Sequence, residues 1–201
     1  MNMIRASGLG LVLAALSGGC CMAVRVRSPE PLGRWPSSPL EPEELRSLSL
    51  SFSARCTVAG QDAPFGPEVW LVCRNATLLA YHRSGLFADI WLEGEPAELE
   101  ADVVLRERRT LAPRALRIAH GLTLGIVPCW ERREWTLETA VSAERGRKPL
   151  ARFEKSAAAV TWSHLLLFIV YPFAPPPGVG ANCVYDLSRA TILDARARGV
   201  F

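Results

Sequence analysis

The sequence predicts an α+β domain in which a small antiparallel sheet carries two helices on one face. Residues Leu48–Val58 alternate apolar and polar side chains, which is typical of a strand with one buried face. Residues Pro67–Arg83 place apolar side chains at helical spacing, and residues Trp135–Lys155 have the pattern of a hairpin. The predicted order is strand, helix, strand, hairpin and helix, and this order favours a layer of helices packed on one face of a sheet.

The chain begins with the pattern of an export signal. Arg5 is followed by an uncharged apolar run from Ala6 to Leu16 and then by Ser17-Gly18-Gly19-Cys20. A single cation, a short apolar run and small residues at the exit are typical of a segment that directs export. We therefore interpret residues 1–19 as a signal peptide. A plain secretory signal and an uncleaved anchor are the alternatives.

Small residues running directly into Cys20 resemble the lipobox of bacterial lipoproteins, although Ser17 stands where that family prefers Leu. In that family the cysteine becomes the diacylated N-terminus of the mature chain. The resemblance implies lipidation of Cys20, attachment to a membrane through the lipid, and a cell-envelope location facing the periplasm. Residue 21 is Cys and not Asp, which in this family mildly favours the outer membrane.

The formal charge of the whole chain is +3 at pH 7. So small an excess argues against a dedicated nucleic-acid surface, which requires many basic residues on one face. Residues 20–45 are interpreted as the lipidated Cys20 followed by a proline-rich tether, because Pro29, Pro31, Pro36 and Pro39 disfavour regular structure. A strap lying on the domain surface is the alternative. Residues 46–201 then form one domain of ordinary size.

The first predicted helix follows the first strand after Gly66, with Pro67 at its first position and Gly85 as a left-handed cap. Its apolar stripe, which we expect to be buried, consists of Val69, Val72, Cys73, Ala76, Leu79 and Ala80. Cys56 in the strand and Cys73 in the helix both point toward the core. They are the pair that we expect to form a disulfide in an oxidising compartment, and buried free thiols are the alternative.

The remaining strand, hairpin turn and helix are also predicted from local sequence patterns. Residues Ala101–Arg108 are rich in β-branched side chains and predict a second strand. The hairpin turns at Arg145-Gly146-Arg147, and a last helix is predicted from Leu187 to about Arg198, with Asp186 as its N-cap and Gly199 beyond it.

Two apolar stretches stand out from this pattern. Gly121–Pro128 is too short to span a membrane. Residues 157–173 lie at the lower length limit of a spanning helix, with Trp162 and Tyr171 near the ends as in an interfacial belt. We interpret this segment as membrane-associated, with a spanning helix and a buried or membrane-surface helix as the two alternatives.

The sequence contains no catalytic or nucleotide-binding motif, and it predicts no catalytic site, metal site or cofactor. His82, His120 and His164 lie in separate elements, each without a metal-ligand partner at the required spacing. Glu98, Glu100 and Asp102 would share one strand face, which favours a solvated surface over a cation site. Cys129 is the least implausible nucleophile if the chain is a thiol-dependent enzyme.

A second resemblance is carried by Ser84-Gly85-Leu86-Phe87 followed by Ala101-Asp102-Val103-Val104-Leu105. This succession is similar to that in auxiliary lipoproteins of envelope ABC transport and in the lipopolysaccharide-assembly type of lipoprotein. The resemblance implies a non-catalytic accessory or scaffold subunit that binds other envelope proteins. An inner-membrane protein anchored by residues 157–173, with a sensing or gating role, is the alternative.

Overall fold

The computed structural model of the protein describes residues 21–27, 35, 45–92, 95–143, 148–164 and 179–201. Its strands are β1 Cys21–Arg27, β2 Arg46–Val58, β3 Gln61–Ala63, β4 Phe87–Leu92, β5 Leu99–Leu111, β6 Cys129–Ser142 and β7 Ala151–Ser163. Its helices are α1 Pro67–Ser84, α2 Arg114–Leu122 and α3 Val179–Ala197. The predicted signal peptide at 1–19 and the predicted lipidation site Cys20 lie outside the described residues.

The strands form one seven-stranded mixed sheet in the order β1-β7-β6-β5-β2-β3, with β4 also paired to β2. Strand β2 runs parallel to β4 and β5, and the other pairings are antiparallel. The α+β class is confirmed, but the prediction of a small antiparallel sheet is wrong. Helix α1 is the physical reason, because it carries the chain back along the sheet so that β4 must run parallel to β2.

Helices α1 and α3 pack on one face of this sheet, as predicted. Leu50 of β2, Leu105 of β5 and Leu137 of β6 are almost completely buried in one cluster with Tyr81 of α1 and Leu187 of α3. Along β5, buried residues alternate with more exposed ones, so only one face of the strand contacts the helices. The core therefore lies between the helix layer and the sheet.

The predicted bounds of the first strand and first helix agree with β2 and α1, and Gly85 caps the helix with a left-handed φ of 64°. The predicted buried stripe of α1 is wrong in part. Cys73 and Ala80 are buried as expected, but Val69, Val72 and Leu79 are exposed.

Small and polar residues take the inner positions of α1. Thr77 is fully buried, and its hydroxyl donates to the Cys73 carbonyl oxygen at 3.2 Å. In α3, Ser188 donates in the same way to the Val184 carbonyl oxygen at 2.9 Å, and its Oγ lies 3.4 Å from the Thr77 hydroxyl. Satisfying these hydroxyls within each helix lets the two backbones approach closely. Tyr81 remains in the core, while Val69, Val72 and Leu79 lie outside this contact.

The first part of the predicted tether is a strand of the sheet. Residues Cys21–Arg27 form β1, which pairs antiparallel with β7 from Cys21 opposite Ser163 onward. Trp35 packs against the core cluster, with the Arg189 guanidinium 5.0 Å from the centre of its ring. The predicted boundary between tether and domain at residue 45 therefore misses a strand. The rest of that segment lies outside the described residues.

The helix predicted for residues 157–173 is wrong in its first part. Residues Ala157–Ser163 belong to β7, which pairs with β6 on one side and β1 on the other. Continuous apolar runs are typical of strands with neighbours on both sides as well as of buried helices, which explains the error. Residues 165–173 lie outside the described residues. None of the helices in the described part of the chain is long and apolar enough to cross a membrane.

The last helix begins earlier than the sequence predicted. Helix α3 starts at Val179, so Asp186 lies inside it and is not its N-cap. Cys183, Val184 and Leu187 are fully buried and continue one stripe through the predicted boundary, and this packing outweighs the capping preference of Asp186. The predicted C-terminal end is confirmed, because Gly199 has a φ of 68°.

Candidate functional site

Three neighbouring strands end together at one rim of the sheet. Ser163 at the end of β7 pairs with Cys21 on one side and with Cys129 on the other. We call the end of the sheet marked by Cys21, Cys129 and Ser163 the upper rim. Since β1 starts here and runs into the sheet, the chain that precedes Cys21 reaches the sheet at the upper rim.

Helix α2 and the turn that follows it connect β5 to β6 at this rim. The ring of His120 fixes the connection to the sheet: its Nδ1 lies 2.6 Å from the Val127 carbonyl oxygen and its Nε2 lies 3.3 Å from Ser163 Oγ. A carbonyl oxygen only accepts, so Nδ1 donates to Val127 and Nε2 accepts from the Ser163 hydroxyl. The histidine thus joins α2, the turn and β7.

The turn after α2 has a defined shape. The Thr123 hydroxyl donates to the Ala119 carbonyl oxygen at 2.7 Å and accepts from the Val127 backbone N–H at 3.1 Å. Leu124 adopts a φ of 50°, in the left-handed region that costs a side-chain-bearing residue about 1 kcal/mol. The backbone N–H of Gly125 donates to the His120 carbonyl oxygen at 2.8 Å and completes the turn.

Large apolar side chains project from this connection into solvent. Ile118, Leu122, Leu124 and Ile126 are each more than half exposed, and Leu122 reaches 81%. Four exposed aliphatic side chains within nine residues are a local concentration of apolar surface, whereas single exposed apolar residues are normal in soluble proteins. We call these four residues the rim patch.

A buried carboxylate lies on the helix-facing side of the sheet. The Glu107 side chain is only 2% exposed, and Arg109 contacts both of its carboxylate oxygens at 3.0 Å. Arg133 on β6 lies 3.9 Å from Glu107 Oε1 and also binds Glu131 through its Nε at 2.9 Å. The hydrogen bond and charge of Glu107 raise the pKa of Arg109 above its usual value. The four side chains form a charge network between the hydrophobic core and the upper rim.

The charge of Glu107 contributes to the raised pKa values of the two cysteines predicted to form a disulfide. Burial, reinforced by the negative charge of Glu107, raises the pKa of the Cys73 thiol to about 11. Burial and Glu107 also raise the pKa of Cys56. Both thiols are free in the structure and are neutral at physiological pH, so their reactivity as thiolates is low. The disulfide between them stays a prediction.

A groove of about 390 Å³ separates the outer surfaces of α1 and α3. Its apolar walls are the exposed Val72 and Leu79 of α1 and Tyr185 of α3. Ala76 and Ala181 also line it, and Arg83 lies against the Tyr185 ring at 5.8 Å. The groove therefore combines an apolar interior with a cation at one end.

Three of the other residues considered from the sequence lie at the upper rim. His120 binds Ser163, His164 is the next residue in the chain, and Cys129, which is almost completely buried, pairs with Ser163. His82 lies in the last turn of α1, before β4.

Serines of β2 bind two of the acidic residues considered from the sequence. Asp102 Oδ1 in β5 accepts a hydrogen bond from the Ser51 hydroxyl. Glu98 lies just before β5, outside the predicted strand face, and its Oε2 accepts a hydrogen bond from the Ser47 backbone N–H at 3.2 Å. Glu100 and Asp102 share the face opposite the helices, as predicted. Within the described ranges, no group of three His, Cys, Asp or Glu side chains could hold a metal ion.

Comparisons with known proteins find similarity only among solved structures. No protein-family model and no curated protein matches the sequence. A crystal structure from Xanthomonas campestris, assigned to the family DUF330, has a TM-score of 0.46 at 11% identity and covers 87% of this chain and 98% of its own. A minor lipoprotein from Acinetobacter baumannii has a TM-score of 0.41 at 14% identity, covering 76% and 92%. The PelC dodecamer from Paraburkholderia phytofirmans has a TM-score of 0.36 at 9% identity, covering 85% and 96%.

The rim patch and the Glu107 network were not predicted from the sequence as candidate features. The signal for the patch was present, because Gly121–Pro128 is apolar and follows Pro113 and a short helical pattern. The network left no comparable signal. Glu107, Arg109, Glu131 and Arg133 lie in two charged strand segments, and only the strand register shows which of them face inward.

Proposed function

We propose that this chain is an exported protein of a bacterial cell envelope, lipid-anchored at Cys20, that acts as a non-catalytic accessory or scaffold subunit of a transport or envelope-assembly complex. The observation that carries the proposal is the position of Cys21 at the upper rim. Strand β1 begins one residue after Cys20, so a lipid on Cys20 would hold the folded domain against the membrane by its upper rim. The domain would face the periplasm, and Cys21 in place of Asp favours the outer membrane.

Mass spectrometry of the mature N-terminus tests the anchor. Expressed in a Gram-negative host, the wild-type chain is expected to yield an N-terminal peptide that begins at Cys20 and carries acyl chains. A variant with both Cys20→Ala and Cys21→Ala should lose the acyl mass, and Cys21→Ala alone should keep it, because Cys20 still follows Ser17-Gly18-Gly19. A chain that retains Met1, or that is cut elsewhere without lipid, would contradict the anchor.

The groove between α1 and α3 supports the role as a binding subunit. Val72 and Leu79 are 50% and 44% exposed, so the described residues leave much of their apolar surface uncovered, next to small residues that leave room for an incoming side chain. Apolar anchors spaced along one face of an amphipathic helix fit such grooves. We propose that the groove binds an amphipathic helical segment of a partner protein, with Arg83 favouring an acidic residue at one end of that segment.

Site-specific photo-crosslinking in cells tests this binding role. A photoreactive residue at Val72 is expected to give one discrete crosslinked product, and a Leu79→Asp change in the same chain should abolish it by placing a charge in the groove. Leu71 is the matched control, since it is an exposed apolar residue of the same helix that does not line the groove. Equal products from both positions, or a product that survives Leu79→Asp, would exclude the groove as the binding site.

A further inference from the structure

The rim patch contains the three most exposed large apolar side chains of the described residues, Leu122, Leu124 and Ile126. Ile118 and Leu122 lie on α2, and Leu124 and Ile126 lie on the turn that follows it. Hydrogen bonds from Thr123 and His120 and the left-handed backbone at Leu124 fix the shape of this turn. All four residues are more than half exposed. Exposed apolar side chains concentrated in this way are typical of a site that contacts another protein or a membrane.

The patch and the chain's N-terminal entry lie at the same rim. Cys129, which follows the patch, is two strands from Cys21, a separation of roughly 10 Å at the usual strand spacing. The hydrogen bond from Ser163 to His120 fixes α2 to the strand between them. A lipid on the residue before Cys21 would therefore bring the rim patch to the membrane surface.

The chemistry of the surrounding segment matches a lipid headgroup region. Residues 110–130 contain no acidic side chain, while Arg114 and Arg117 are exposed on α2. Cations beside a short apolar face attract anionic headgroups and are typical of segments that lie in the membrane interface.

Two tryptophans extend this chemistry onto the sheet. Trp130 and Trp162 are direct partners on β6 and β7, one residue inside the rim, and Trp162 is exposed. Tryptophan prefers the boundary between headgroups and acyl chains.

We propose that the rim patch inserts into the interface of the membrane that holds the lipid anchor, with Arg114 and Arg117 contacting anionic headgroups. This inference rests on the proposed lipid at Cys20. The two attachments act together: the lipid keeps the domain at the membrane, and the patch sets its orientation, with the upper rim toward the bilayer and the α1–α3 groove open to the side.

Fluorescence from a solvatochromic amino acid tests the insertion. The full lipidated chain is reconstituted in vesicles of phosphatidylethanolamine and phosphatidylglycerol, with the probe at Leu122 or at Leu150. Leu150 is the matched control, because it is 59% exposed and lies in the β6–β7 connection at the opposite end of the sheet. We expect blue-shifted emission and quenching by brominated lipids at position 122 and neither at position 150.

A second variant separates insertion from a local effect of the probe. Leu124→Ser with Ile126→Ser should return the emission of the probe at 122 toward that in water, with the same unfolding midpoint as the parent chain. If the probe at 122 stays in water while the chain floats with the vesicles, the insertion is wrong and the anchor stands. If the chain does not float, both are wrong. Shielding of position 122 without vesicles would instead indicate self-association and overturn the proposal.

Discussion

Replacing Glu107 by Gln is expected to lower the free energy of unfolding by about 2–4 kcal/mol. The carboxylate is buried and binds Arg109 through both oxygens, with Arg133 close by. An amide keeps the volume but removes the negative charge, so two guanidinium groups on adjacent strands are left beside each other without the charge that joins them. Because both arginines are partly exposed, water recovers some of this loss. Urea unfolding followed by tryptophan fluorescence measures the change.

Glu138→Gln is the matched control for this prediction. Glu138 is also a glutamate of the sheet bound to an arginine, Arg106, at 2.9 Å, but both side chains are more than one-third exposed. A surface pair of this kind contributes less than about 1 kcal/mol. Equal losses in the two variants would mean that the burial of Glu107 does not strengthen its ion pairs.

The elements that the sequence predicted well are those in which one local pattern decides the structure. Strand β2 alternates without exception from Leu48 to Val58, and α1 has both a proline at its start and a glycine at its end. Strand β1 was not predicted, although its residues carry a local pattern. Met22, Val24 and Val26 alternate with Ala23, Arg25 and Arg27, but the neighbouring cysteine motif and prolines favoured a tether. Its partner β7 lies more than a hundred residues away, and no local pattern reveals that pairing.

Tertiary packing explains the other errors. The parallel strands β2 and β5 lie side by side because of the path through α1 and β4, which hydrophobic periodicity does not encode. The apolar run Ala157–Val160 fits a helix or a central strand equally well, and its neighbours on both sides decide in favour of the strand. In α1 the inner face is set by close contact with α3, so periodicity identified Cys73 and Ala80 but not Thr77.

The candidate site depends on the same long-range information. The sequence indicates Cys20 and an apolar stretch at Gly121–Pro128 as separate features. Only the register that pairs Cys21 with Ser163 and Ser163 with Cys129 places them at one rim. Local patterns therefore identified the separate features, and the sheet register determines which of them lie at the same rim.

Replacing Tyr81 by Ala is expected to lower the free energy of unfolding by about 3–5 kcal/mol, the range for removing a large buried aromatic side chain. Tyr81 is 1% exposed, and its ring lies 5.9 Å from that of Phe87. Phe87 in turn packs edge-on against Phe201 at 5.0 Å, so the cavity would weaken the contacts that join α1, β4 and the C-terminus. Thermal and urea unfolding should both report the loss.

Tyr81→Phe separates the ring from its hydroxyl group. The hydroxyl is buried beside the Thr139 hydroxyl, but among the described residues neither oxygen makes a hydrogen bond of normal length and angle. This burial raises the pKa of the Tyr81 phenol, which keeps it neutral. Removing an unsatisfied hydroxyl costs no hydrogen bond, so Tyr81→Phe should change the free energy of unfolding by no more than about 1 kcal/mol, and in the stabilising direction. A loss in Tyr81→Phe as large as that in Tyr81→Ala would show that the hydroxyl, not the ring, holds this part of the core together.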